Sequence, residues 1–245
     1  MARSENTGTR LLHVIATPRG LASNTGRVTS CLLEALREDE DDLLVDTLDL
    51  FRADLPSVAG KNIETKYRLM TGQAPDEDAK ESWGQIERTI DQFLAADVYL
   101  LTVPMWNLGI PYVLKYYIDA IVQPGYLFRY TPEGLVEPLV NGKKMIVVLS
   151  SGSEYATEPM RSFDFAEPYL RAIFGFVGIT DVTVLRAGGM DISPDYRKAG
   201  QRAAIDEARA FVRSGAWRPA AQRRPARVPR ASRTDRAATA QVLVA

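Results

Sequence analysis

The 245-residue chain holds one cysteine, Cys31, and one histidine, His13. A lone cysteine excludes any disulfide within the chain and any zinc site built on cysteines. A lone histidine leaves a Ser-His-Asp relay with a single candidate base. No apolar run approaches the length of a membrane-spanning helix. The opening stretch, MARSENTGTR, lacks the apolar core of a signal peptide. An excess of charge of one sign is also missing, since 30 Lys and Arg stand against 31 Asp and Glu. With a pI near 6.0 there is no bulk attraction to nucleic acid or to a membrane surface. These absences predict a cytoplasmic protein with a reduced thiol, no metal cluster, no membrane partner and no nucleic-acid partner. What is present is an ordinary 46% of apolar residues, enough to bury one full core.

Residues 11–16, 43–50, 98–103, 145–149 and 182–185 are short apolar segments with the pattern of buried strands. Helical periodicity covers residues 26–38, 61–70, 76–96, 112–121, 159–176 (with a break at Pro168) and 194–213. The alternation predicts an α/β domain, a doubly wound parallel sheet of five strands with helices on both faces. His13 lies inside the first strand and reads as a packed, hydrogen-bonded core residue. Residues 123–138 carry Tyr126, Phe128 and Tyr130 among Pro and Gly, and read as a hairpin-like excursion. The domain is expected over residues 10–213, after a flexible stretch at 1–9. Residues 214–245 hold seven arginines against one acid, Asp235, with Pro219, Pro225 and Pro229 spaced through them. That composition predicts a disordered tail.

Right-handed crossovers bring the loops after the first, third and fourth strands to one edge of such a sheet. Ligands bind at that edge in open α/β sheets. The first loop holds Thr17, Ser23, Asn24 and Thr25 where a helix begins. Unpaired N–H groups and the positive end of the helix dipole suit a phosphate there. The same residues also suit plain helix capping by Ser23 or Asn24. Neither the Walker pattern nor G-x-G-x-x-G is present. The second loop, Pro104, Met105, Trp106, Asn107, Leu108 and Gly109, reads either as a flat polarisable wall for a planar ring or as a cap on the core. The third, Ser150, Ser151, Gly152 and Ser153, is small and polar.

With these loops in view, the chain resembles a known family. Pro104-Met105-Trp106-Asn107, Ile110-Pro111, Leu114-Lys115 and Ile118-Asp119 match the signature of flavodoxin-like quinone reductases. Phe128-Arg129-Tyr130-Thr131 and Gly175-Phe176-Val177-Gly178-Ile179 extend the match. The chain is most similar to the bacterial FMN-dependent NADH azoreductases, also called NADH:quinone oxidoreductases, over about residues 10–213. The resemblance implies a flavodoxin-like fold with FMN as cofactor, FAD being the second choice. It places the FMN phosphate on Thr17, Ser23, Asn24 and Thr25. The ring system would lie along Pro104, Met105, Trp106 and Asn107, with Ser150, Ser151, Gly152 and Ser153 at its pyrimidine edge.

It further implies a ping-pong transfer of two electrons from NADH or NADPH to a quinone, azo or similar conjugated acceptor. Asn107 would act at the hydride-accepting position; apart from the resemblance, Tyr130 or Tyr155 is a candidate proton donor to the acceptor. A homodimer with sites at the interface belongs to the same implication. Pro18 and the Ser150–Ser153 stretch depart from the family pattern and bear on the choice of acceptor. The competing reading is a flavodoxin-like electron carrier or flavin-binding module without a substrate pocket of its own.

Overall fold

In the computed structural model, residues 8–219 are described, apart from residue 72 and residues 74–76. In chain order the elements are β1 (Arg10–Ile15), α1 (Asn24–Asp39), β2 (Leu44–Asp49), α2 (Lys61–Met70), α3 (Lys80–Ala95), β3 (Val98–Pro104) and α4 (Tyr112–Ile121). There follow β4 (Phe128–Tyr130), β5 (Val136–Pro138), β6 (Lys144–Ser150), α5 (Ala166–Phe176), β7 (Asp181–Ala187) and α6 (Pro194–Arg213). Five strands pair in parallel in the order β2-β1-β3-β6-β7. That is the flavodoxin-like doubly wound order, with its switch point between β1 and β3.

The strands alternate because each must feed two helical layers. Val98 and Leu100 of β3 join α1 and α6 residues such as Val28, Leu32 and Ala208 in one core. Tyr99, Leu101 and Val103 join Trp83, Ile90, Leu114 and Phe174 from α3, α4 and α5 in the other. β3 and β6 are buried along nearly their whole length, whereas the edge strand β2 has no fully buried residue. The in-register pair Pro104–Ser150 ends β3 and β6 together, so their loops emerge side by side.

Strand ends shift by one or two residues from those expected, and the helices and the tail compare as follows. α1 begins at Asn24, two residues before the expected start, because Ser23 caps it with a side-chain bond from the Gly26 N–H. The expected helix start at residue 76 lies outside the described residues, and α3 proper runs Lys80–Ala95. The break expected at Pro168 lies further upstream: a 3-10 turn at Met160–Phe163 ends at Asp164, whose carboxylate accepts from the Ala166 and Glu167 N–H groups. Pro168 then sits in the first turn of α5, where its missing N–H costs nothing. Finally, the chain stays packed past residue 213. Trp217 is fully buried in the α1–α6 core and donates to Asp39 Oδ2 at 2.9 Å. Arg218 pairs with Asp39 at 2.7 Å and lies over the Trp217 ring. The rest of the expected tail, from residue 220, lies outside the described residues, as does the start of the expected flexible stretch, residues 1–7.

Candidate functional site

The first loop is closed by local bonds. The Gly20 N–H donates to the Thr17 carbonyl and the Ser23 N–H to the Gly20 carbonyl. The Ser23 hydroxyl accepts from the Gly26 N–H at 2.9 Å and donates to the Gly20 carbonyl at 2.8 Å. The Ser23 hydroxyl thus caps α1 and closes the loop on itself. Gly20 has φ +52°. Gly26 admits no side chain, since a Cβ there would stand 2.4 Å from Leu21 Cα and 2.5 Å from the Gly20 carbonyl oxygen. The loop backbone therefore wraps onto the first turn of α1. Asn24 Oδ1 accepts from Gln201 of α6 at 3.1 Å. Thr17 and Thr25 are buried in the same place.

The second loop is a two-residue turn. Trp106 and Gly109 exchange both backbone hydrogen bonds, at 2.9 and 3.0 Å, around Asn107 at φ +47° and Leu108 at φ +71°. Two positive φ values in succession mark a type I′ turn. Asparagine accepts that backbone readily, but for a leucine it costs of order 1–2 kcal/mol. The turn is held from outside: the Met105 N–H donates to the Ser150 carbonyl at 2.7 Å, and the Phe165 N–H to the Leu108 carbonyl at 2.9 Å. Trp106 is 36% exposed and leans on Phe51 and Tyr112, with ring centroids 6.0 and 6.4 Å away.

The third loop joins the other two. The Ser150 and Thr25 hydroxyls share a short hydrogen bond. The Ser151 hydroxyl donates to the Ser153 carbonyl. Ser151, Gly152 and Ser153 are bonded through their backbones to the 187–191 loop after β7. Gly152 leaves no room for a Cβ, which would stand 2.6 Å from Asp191 Oδ2. Thr17, Ser23, Asn24, Thr25, Pro104, Met105, Trp106, Asn107, Ser150, Ser151, Gly152 and Ser153 thus gather at the carboxyl edge of β1, β3 and β6.

A buried polar chain underlies the cluster. His13 Nε2 is 2.8 Å from Thr102 Oγ1, which is 3.0 Å from Thr29 Oγ1; Thr29 donates in turn to the Thr25 carbonyl at 3.1 Å. Burial, with the positive Arg37 as a lesser cause, lowers the His13 pKa to about 4. The imidazole is therefore neutral near pH 7 and serves as an internal strut.

Tyr130 does not join this cluster within its own chain. It lies in the β4–β5 hairpin, edge-on to Phe128, which packs against Phe176 at the end of α5. Val140, just after the hairpin, donates to the Val177 carbonyl. These ties hold the hairpin where α5 leads into the amino end of β7. Sequence reasoning missed Phe51, Tyr112 and Phe165, because each belongs to a different element and only the fold brings them to Trp106 or Leu108. It also missed Arg186 on β7. Arg186 Nη2 donates to Asp164 Oδ2 and to Glu167 Oε2, and its Nε donates to Glu167 Oε2 at 3.0 Å. Burial works against the Arg186 charge, but the bonds to Asp164 and Glu167 outweigh it and raise the pKa above the ordinary arginine value.

Comparison with known proteins fits this geometry. Residues 9–212 match the model of a family described as having a flavodoxin-like fold. An FMN-dependent NADH:quinone oxidoreductase of Bradyrhizobium diazoefficiens is 38% identical over 180 residues, which is 73% of this chain and 86% of that one. A counterpart from Pseudomonas fluorescens is 30% identical over 213 residues, 86% of this chain and 99% of its own. Among solved structures, an azoreductase from Bacillus anthracis superposes with a TM-score of 0.76 at 28% identity, over 84% of this chain and 99% of that one. A match that spans nearly all the described residues, together with relatives covered over 86% and 99% of their length, places this chain in the flavodoxin-like family of FMN-dependent NADH:quinone oxidoreductases.

Proposed function

We propose that the protein passes two electrons from NADH through bound FMN to a quinone or azo acceptor, by a ping-pong route. The observation that carries the proposal is the convergence of three unlike loops at the switch point: an anion cradle, an aromatic wall and a small polar edge. This donor set fits FMN. The start of α1, with Thr17, Asn24 and Thr25 and a Gly26 that leaves the backbone bare, suits a phosphomonoester. Pro104, Met105 and Trp106 suit a flat ring, and Ser150–Ser153 suit its polar rim.

FMN supplies the two-electron chemistry; the chain supplies placement. Asn107 would act through the backbone of its turn, whose amides would face the ring edge. Ser23 shapes the cradle through its cap. The strut of His13, Thr102 and Thr29 fixes the start of α1 against β3. The reading includes a homodimer in which Tyr130 serves the partner's site. It is supported by the exposure of Tyr112, Leu135 and Phe165, at 70%, 66% and 59%. It also includes a cytoplasmic location, in keeping with the lack, among the described residues, of any helix long and apolar enough to cross a membrane.

The test begins with the absorption spectrum of the purified protein, titration with FMN, and oxidation of NADH with a quinone or an azo dye. Stoichiometric flavin and acceptor-dependent NADH oxidation are expected. A colourless protein that ignores both FMN and FAD overturns the reading. Light scattering at micromolar concentration is expected to give twice the chain mass; a monomer of full activity removes the shared site.

A further inference from the structure

The Asn107–Leu108 turn adopts a backbone that leucine disfavours, so it depends on contacts outside itself. One of these is the Phe165 N–H bond to the Leu108 carbonyl. Phe165 follows Asp164, and Asp164 is tied on both sides. One carboxylate oxygen accepts from the Ala166 and Glu167 N–H groups, and the other accepts from Arg186. The Asp164 side chain is only 4% exposed. Without Arg186 it becomes a buried charge with no counter-ion, and the segment must shift to let water reach it. Such a shift carries the Phe165 N–H away from Leu108.

We infer that Arg186, through Asp164 and the Phe165 amide, is a positioning residue for the Asn107–Leu108 turn. The inference rests on the reading of residues 104–107 as the flavin wall. Arg186 touches neither cofactor nor substrate. Its Nη2 fixes the carboxylate of Asp164, next to the amide that holds the strained turn, so the cost of losing it depends on what stands at position 108. A glycine there makes the turn Asn-Gly, which forms a type I′ turn without outside help. Once Leu108 is replaced by glycine, Arg186 has little left to hold.

The test is a double-mutant cycle with Arg186→Gln and Leu108→Gly. With Leu108 in place, R186Q is expected to slow the bleaching of bound FMN by NADH about tenfold while changing FMN affinity less than about threefold. In the Leu108→Gly background, the same substitution is expected to change the bleaching rate less than about twofold. The second readout is hydrogen exchange in FMN-free protein over residues 104–110. There R186Q is expected to raise exchange about fivefold or more with Leu108, and to leave it unchanged in the Leu108→Gly background. Where R186Q yields too little folded protein, Arg186→Lys, which keeps the charge but loses the fork, runs through the same cycle.

A rate within about twofold of wild type for R186Q with Leu108 overturns the inference, and so does an equal loss in both backgrounds. Equal exchange in all four proteins does the same. If wild type itself binds no FMN, the flavin reading fails and the exchange measurement alone decides the role of Arg186.

Discussion

The first and second loops meet the same ligand edge but are built in opposite ways. The bonds that shape the backbone of residues 17–26 run mostly between residues three positions apart: Gly20 to Thr17, Ser23 to Gly20, Gly26 to Ser23; the side chains of Asn24 and Thr25 reach out, to Gln201 and Ser150. The turn at residues 106–109 closes on itself only with a leucine at φ +71°, and it is fixed by Ser150 and Phe165 from other elements. The capped backbone of the first loop needs only α1 to form. A turn imposed from outside exists only once β6 and α5 have docked. The backbone of the first loop is therefore expected to tolerate loss of distant packing better than the 106–109 turn does.

The largest expected effect tests the support beneath the first loop. His13 stands neutral and buried, with its pKa lowered to about 4 against 6.5 in an unfolded chain. Protons then bind the unfolded state more readily between these values. The stability from neutral His13 is whole above pH 6.5 and is lost as pH falls through 4. The loss amounts to about 3 kcal/mol. Denaturant titrations at pH 7 and pH 4 measure it against His13→Gln. The pH-dependent part of the loss is expected to shrink by about that amount in the variant, and equal pH dependence in both proteins breaks the assignment.

Next is Gly26→Ala, which forces a methyl against Leu21 Cα and the Gly20 carbonyl. Overpacking costs about 1–3 kcal/mol, so FMN is expected to bind roughly ten- to hundredfold more weakly. Exchange over residues 104–110 is expected to stay as in wild type, because the turn draws none of its bonds from this loop. Fluorescence titration and exchange on the same sample check both halves; faster exchange at the turn refutes the separation of the two loops.

The same division explains what could be read from the sequence. The alternation in β3 and β6 is written in consecutive residues, and so are the ends of α2, α4 and α6. Ser23 was one of two visible caps, beside Asn24, and Gly26 stood at the expected start of the helix. The role of Tyr130 could not be placed, because the hairpin's anchor on Phe176 lies far along the chain. The break in the helix expected over 159–176 was assigned to Pro168 because a proline is visible locally. The residue that sets the boundary, Asp164, owes its position to Arg186 on a later strand. Trp217 sat inside an arginine- and proline-rich stretch, and its burial beside Asp39 follows from the docking of α6 on α1, which no local pattern records.

A smaller effect is expected from Ser23→Ala. The substitution leaves the Gly26 N–H and the Gly20 carbonyl without the hydroxyl that joins them. Loss of an N-cap costs typically about 1 kcal/mol. The apo-protein is expected to melt about 2–4 °C earlier, and FMN to bind about fivefold more weakly. Ser23→Asp keeps a cap but brings a negative charge to the anion cradle. It is expected to restore the melting temperature and to weaken FMN further. Tighter FMN binding by the Ser23→Asp variant would show that the phosphate lies elsewhere.

The smallest expected effect on the apo-protein concerns the ring at the second loop. Trp106 touches Phe51 and Tyr112 at tilted angles and over long centroid distances, and it remains 36% exposed. A tryptophan that caps the core would be covered; this one is braced on one side and open on the other. In apo-protein, Trp106→Ala is expected to cost only about 0.5–1 kcal/mol, the worth of such an aromatic contact. That is a shift of about 1–4 °C in melting temperature. In the presence of FMN the same substitution removes the open face as well, and affinity is expected to fall roughly tenfold. The contrast between a small apo effect and a larger ligand effect is the signature of a side chain held ready for a ring. Phe51→Ala separates bracing from binding. It is expected to lower the apo melting temperature in both backgrounds, because Phe51 also meets Tyr112 and packs on the core, but by less once Trp106 is gone. If Trp106→Ala melts much earlier in the apo state yet binds FMN as tightly as wild type, the tryptophan belongs to the scaffold, and the wall of the site is Met105 and the turn backbone alone.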